Sequence, residues 1–174
     1  MERIKIKGYT LIEIMVTVVI IGITLLAVAP NLTGSIRRQA LESNLVELSS
    51  DLKKSRADAM VEGTRTVTLI VDAAQPSQDF DGDGKKEHYI TFIDNNRNGA
   101  FTQGVDRLLY RKDWGNVYVE TNTLSPIVFM PQGTIFSTQT APWILSIKFP
   151  NHDSEYSLEL LSIVGMTRIT RIHL

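Results

Sequence analysis

No cysteine occurs in the 174 residues, which rules out disulfides, thiol catalysis and cysteine-ligated zinc. A cysteine-free chain exposed outside the cytoplasm must hold together by packing alone, or with help from an ion. Histidine is scarce, and His88, His152 and His173 stand too far apart to show metal-ligand spacing. The chain has no Gly-x-Ser-x-Gly elbow and no phosphate-cradling glycine loop, so no enzyme activity is expected. There is no basic excess either. The net charge is -1, and the three cations and one acid among the first eight residues, once removed, leave the remainder at about -3. That is too acidic overall for a generic binder of nucleic acid or anionic membrane. Trp114 and Trp143 read as core or rim residues rather than stacking platforms.

What the chain does have is an apolar run near its start. From Ile14 to Ala29 only Thr17, Gly22 and Thr24 interrupt it. With Tyr9 to Ile12 added it reaches about 20 residues, the length a helix needs to cross a bilayer core. One ionisable residue, Glu13, lies inside it. A carboxylate there costs about 2.5–3.5 kcal/mol on insertion scales, so it needs a partner. Upstream, Arg3, Lys5 and Lys7 against Glu2 form a short basic head that should stay in the cytoplasm. Two plainer readings compete. Ala27-Val28-Ala29 looks like a signal-peptide cleavage site, but the length of the run, Glu13 within it and Pro30 directly after it argue against an ordinary secretory signal peptide. A single-pass anchor with an incidental Glu is the other.

The junction Gly8-Tyr9-Thr10-Leu11-Ile12-Glu13 resembles the class III leader of type IV pilins and type II secretion pseudopilins. The resemblance implies that a prepilin peptidase cuts between Gly8 and Tyr9, and that the new amine on Tyr9 is N-methylated. Tyr9 stands where the family usually has phenylalanine. Cleavage would place a cation four residues from Glu13. In the family this acid pairs with the amine of the preceding subunit and sets register during assembly.

Pro30 falls where the helix would leave the membrane and is expected to kink it. Ser35 could cap a fresh helix after a break at 31–35, but a continuous helix is the preferred reading. Leu41, Leu45, Leu48 and Leu52 then recur at spacings of four, three and four, one face of an amphipathic helix continued by Ala59. Gly63 is the expected stop. One long helix from about Thr10 to Glu62 results. Strands follow at Thr66–Val71, His88–Ile93, Arg107–Arg111, Val117–Glu120, Ile127–Met130, Trp143–Phe149, Tyr156–Val164 and Thr167–His173, with Gly, Pro or Asn in most of the gaps. The fold class is α+β: a long N-terminal helix, membrane-spanning in its first half and amphipathic in its second, packed on an antiparallel β-sheet domain. The expected divisions are a leader at 1–8, a transmembrane or filament-core helix at 9–30, an amphipathic helix at 31–62 and a β-rich periplasmic domain at 63–174.

Asp51-Leu52-Lys53-Lys54-Ser55-Arg56-Ala57-Asp58-Ala59-Met60 with Val67-Thr68-Leu69, then Phe92 to Gly99 with Asp106 to Leu109, and Val128-Phe129-Met130-Pro131-Gln132-Gly133, resemble the GspH/FimT branch of minor pilins, with Asp58 in place of a glutamate. The resemblance implies a minor pseudopilin or minor pilin stored in the bacterial inner membrane, its short N-terminus cytoplasmic and its C-terminal domain periplasmic. Its partners would be other pilins, the prepilin peptidase, an inner-membrane assembly platform and the lipid bilayer.

Two further sites are candidates. Asp79-Phe80-Asp81-Gly82-Asp83-Gly84 spaces three carboxylates as the opening of an EF-hand-like calcium loop does. Its twelfth place is Ile90, so Glu87 or a distant acid would have to close it, and a solvated acidic turn is the alternative. Asp94, Asn96, Asn98 and Gly99, with Asp106, make a weaker second run that reads as a plain loop. Some FimT-type members bind DNA through a C-terminal glycine–arginine–x–arginine element. Gly165 and Arg168 match it, but Met166 occupies the first arginine's place, and alternation sends Arg168 and Arg171 to opposite strand faces. The rival functions are thus a DNA-binding minor pilin for natural transformation and a membrane-anchored calcium-binding module that never polymerises.

Overall fold

The computed structural model describes residues 9–71, 77–121, 126–136, 143–148, 154–161 and 166–173, without the side chains of 27–33, 121, 154, 172 and 173. Gly8 and the leader lie outside the described residues, as do His152 and Gly165. Helix α1 runs from Leu11 to Glu62 and is unbroken through Pro30 and Ser35, so no second helix starts there. The side chain of Pro30, on which the expected kink depends, lies outside the described residues. Gly63 ends the helix at φ 64°, a left-handed conformation that costs a residue with a Cβ about 1–2 kcal/mol.

The chain divides into two compact units, Met1–Gln39 and Ala40–Leu174. In the first, the described side chains from Leu11 to Leu26 are all exposed. Thr17 and Thr24 interrupt the apolar run at no polar cost. Thr17 Oγ1 donates to the Glu13 carbonyl, and Thr24 Oγ1 to those of Ile20 and Ile21. Among the described residues no helix is long and apolar enough to cross a membrane. The described side chains of the apolar stretch end at Leu26, so the expected span of about 20 residues falls partly outside them.

The second unit holds the rest of α1 and two antiparallel sheets. The first sheet has the order β3-β2-β1-β5-β6, from β1 (Thr66–Ile70), β2 (Tyr89–Ile93), β3 (Arg107–Lys112), β5 (Ile127–Phe129) and β6 (Ile135–Phe136). The second has the order β4-β7-β8-β9, from β4 (Tyr118–Thr121), β7 (Trp143–Lys148), β8 (Ser154–Leu160) and β9 (Thr167–His173). Each expected strand forms at least in part; the one expected at Tyr156–Val164 ends at Leu160, and residues 162–164 and Phe149 lie outside the described residues. β6 joins them beyond the Pro131–Gly133 turn; two residues are too few to show a period in sequence.

The leucine stripe packs as its spacing requires. Leu41, Leu45, Leu48, Leu52 and Ala59 are buried in one core with Ile70, Tyr89, Ile127 and Phe129 from the first sheet and Trp143, Leu145, Ile147, Tyr156 and Leu158 from the second. Each fully buried leucine contributes about 1.5–3 kcal/mol. A smaller cluster of Val67, Ile90, Phe92 and Val128 lies on the opposite face of the first sheet, with Phe101 and Leu108 packed against it. Phe101 meets Phe92 edge-on at 5.4 Å. With apolar partners on both faces, β2 is buried throughout, which is why its sequence does not alternate.

Candidate functional site

Glu13 sits in the first turn of α1, and the residue ahead of the helix explains its placement. Thr10 Oγ1 accepts the Glu13 N–H at 3.3 Å, and Glu13 Oε2 accepts the Thr10 N–H at 3.5 Å. This reciprocal pair is a capping box, encoded by Thr10-Leu11-Ile12-Glu13. It holds the carboxylate at the positive end of the helix, where a negative charge is stabilised. The acid is anchored to Thr10, the residue after Tyr9, whose side chain is exposed. Thr10 was missed from sequence, although its spacing to Glu13 is the ordinary signature of such a cap.

Further along α1, acidic side chains grip the first sheet. Tyr89 Oη donates to Asp51 Oδ2 at 2.8 Å, while Lys54 Nζ holds Asp51 Oδ1 at 3.0 Å. Tyr110 Oη donates to Asp58 Oδ2 at 2.7 Å, and Lys112 Nζ to Glu47 Oε1 at 2.6 Å. Burial first, and the bond to Asp51 second, push the Tyr89 phenol far above its usual range. Burial and then Asp58 push Tyr110 up to about 12. Two backbone ties complete the clasp: Thr66 Oγ1 donates to the Ser55 carbonyl at 2.8 Å and Arg56 Nε to the Gly133 carbonyl at 2.7 Å. Asp58 thus holds β3 at one edge of the first sheet, and Arg56 holds the turn between β5 and β6 at the other.

The first acidic loop regroups its carboxylates. Asp79, Asp81 and Glu87, not Asp83, bring carboxylate oxygens within 4.8 Å of one another. Asp79 accepts the N–H groups of Gly82 at 2.7 Å and Gly84 at 3.0 Å, and Asp81 that of Asp83 at 3.1 Å. Arg111 Nη1 then bridges Asp81 and Asp83, supplying positive charge from β3. The Lys85 N–H, followed by Arg111, lowers the Asp83 carboxyl. Burial raises that of Glu87, and the charges of Asp81 and Asp83 raise it further. The loop is closed by backbone bonds between Gln78 and Glu87. Nothing in its sequence announced Arg111, which lies 28 residues beyond Asp83.

The second run is a self-satisfied loop. Asp94 is fully buried and accepts the N–H groups of Asn98 and Gly99, both at 3.1 Å, with Arg65 at 3.2 Å. Asp106 accepts those of Asn95 at 2.9 Å and Thr102 at 2.8 Å. These acids act as backbone substitutes that hold the loop over the smaller apolar cluster.

On β9 the two arginines part as alternation requires. Arg168 pairs with Glu159 on the neighbouring strand β8 and donates to Glu159 Oε2 from both Nε and Nη2. Arg171 lies opposite Tyr156, on the face from which Ile169 packs against the main core. They do not form one cationic patch.

The prokaryotic N-terminal methylation motif matches residues 3–29, and the family described as type II transport protein GspH matches residues 45–160, more than half of the chain. The chain belongs to the GspH family. A comparison with curated protein sequences found no match. Among solved structures, this GspH-family chain is similar in fold to the minor pseudopilin EpsH of the Vibrio cholerae type 2 secretion system. The TM-score is 0.52 at 11% identity, covering 75% of this chain and 95% of that one. It is similar also to the type IV minor pilin FimU of Pseudomonas aeruginosa, with TM-score 0.51, 14% identity, and 76% and 90% covered. Within the GspH match lie both acidic loops and the α1 clasp, whereas the capping box lies within the methylation motif. Arg168 and Arg171 fall beyond the GspH match, which ends at residue 160.

Proposed function

We propose that this GspH-family chain is a minor pseudopilin or minor pilin, a mechanical subunit held in the bacterial inner membrane by its apolar helix. Prepilin peptidase cuts between Gly8 and Tyr9, Tyr9 is methylated, and an assembly platform draws the subunit into a filament with other pilins. The observation that carries this reading is the capping box. It fixes Glu13 at the head of a helix whose described apolar side chains, Leu11 to Leu26, have no partner surface of their own in this unit. Such a surface is expected to bury itself in lipid before assembly and against neighbouring helices afterwards. The anchored carboxylate then meets a terminal amine, the charge that offsets its desolvation.

The capping box separates two roles of Glu13. Glutamine preserves an S/T-x-x-E/Q cap while removing the charge; alanine removes both. Glu13→Gln and Glu13→Ala are both expected to insert in the membrane and to be processed to a chain starting at Tyr9, read by mass spectrometry. Both are expected to be lost from sheared filaments on immunoblots. Glu13→Gln assembling as well as the unaltered chain would show that the charge sets no register.

A further inference from the structure

His88 is fully buried at the head of β2, and its ring contacts place an odd demand on one nitrogen. Nε2 lies 3.0 Å from the Val117 carbonyl, an acceptor only, so Nε2 carries a proton in every state. Nδ1 lies 3.0 Å from the Trp114 N–H, a donor, and also 3.0 Å from Asp113 Oδ1, an acceptor. One nitrogen cannot serve both. Neutral His88 accepts the Trp114 N–H and faces Asp113 lone pair to lone pair. Protonated His88 donates to Asp113, and the Trp114 N–H loses its acceptor.

Lys85, Lys86, Glu87, Arg111, Lys112 and Asp113 line one cavity. On the helix side Glu47 is engaged by Lys112, and Asp51 by Tyr89 and Lys54. On β3 Arg111 is engaged by Asp81 and Asp83, and on β2's own side Glu87 is buried and accepts from the Phe80 N–H. Val71, at the end of β1, contributes only its N–H, to the His88 carbonyl. Asp113 is thus the acid in direct contact with the ring, and its side chain is half exposed.

The location gives the choice a consequence. Residues 113–117 connect β3, an edge of the first sheet, to β4, an edge of the second. The Trp114 ring lies 5.4 Å from both His88 and Tyr89, and Gly115, at φ 68°, donates to Asp113 Oδ1 at 2.8 Å. We propose that His88, Asp113 and the Trp114 amide form a proton-operated latch on the connection between the two sheets: neutral His88 holds the Trp114 N–H, and protonated His88 exchanges it for Asp113 and releases the turn.

The test uses the full chain, labelled with nitrogen-15 in detergent micelles, followed from pH 8 to pH 5. As His88 Nδ1 gains its proton, the Trp114 amide resonance moves upfield, and its exchange protection falls about tenfold, the equivalent of one net hydrogen bond. Asp113→Asn removes the anionic acceptor at a half-exposed position, so the fold survives and the transition moves to lower pH. A Trp114 amide that stays unchanged while the His88 ring titrates would overturn the latch. So would a ring that gains no proton across this range, or an Asp113→Asn transition at the original pH.

Discussion

The clasp between Asp51 and Tyr89 offers the sharpest energetic test of how α1 is held. Tyr89→Phe removes one oxygen atom from a fully buried side chain and leaves the ring packing intact. Asp51 Oδ2 then loses its donor inside the core while Oδ1 keeps Lys54. A hydrogen bond to a charged group contributes about 1.5–3 kcal/mol, so the substitution is expected to destabilise the second unit by about that amount. Tyr110→Phe removes the equivalent bond to Asp58 at a half-buried place where water can replace it, and about 0.5–1.5 kcal/mol is expected. Urea unfolding of the full chain in detergent, followed by tryptophan fluorescence, measures both, with an unchanged m-value as the check on two-state behaviour. A double-mutant cycle with Asp51→Asn should return a coupling of about 1 kcal/mol or more. If Tyr89→Phe costs less than Tyr110→Phe, or the coupling vanishes, burial is not what gives these bonds their strength.

Two glycines of similar backbone conformation should differ in their tolerance. At Gly133, φ 76°, an added Cβ would lie 2.7 Å from Met60 Sδ and 3.1 Å from Arg56 Nε, whereas at Gly63, φ 64°, it meets nothing within 4 Å. Gly63→Ala is expected to cost about 1–2 kcal/mol, and Gly133→Ala about 1 kcal/mol more, in the same unfolding assay. The Tyr110 phenol, raised to about 12, binds its proton more tightly folded than unfolded. Its contribution is therefore fully present below about pH 10 and lost as pH rises towards 12. Phenolate absorbance should show the late ionisation, and Tyr110→Phe should flatten that part of the stability profile.

Much of the fold was legible because it is written in short periods. The Leu41, Leu45, Leu48 and Leu52 spacing specified both a helix and its buried face, and the strands were readable as β-branched runs between turn residues. The opposite facing of Arg168 and Arg171 followed from alternation alone. The candidate site was legible only in part. Glu13 stood out by its cost in an apolar run, but its capping partner Thr10 passed unnoticed. The acidic loop was visible as a cluster, with Glu87 as a possible closing acid, yet Arg111 and the departure of Asp83 from the cluster were not. Asp58 looked like a variant of a family motif and proved to be the acceptor for Tyr110, 52 residues away.

Sequence alone determined the long helix and the longer strands, which helix face turns inward, and that a single carboxylate stands within an apolar run. These depend on neighbours within a few residues, where backbone geometry sets the spacing. Only the tertiary structure decided that the strands form two sheets, with β1 between β2 and β5, and that one histidine nitrogen meets both a donor and an acceptor. Such pairings join residues tens of positions apart. Their partners are chosen by the packing of the whole domain, and no local pattern records that choice.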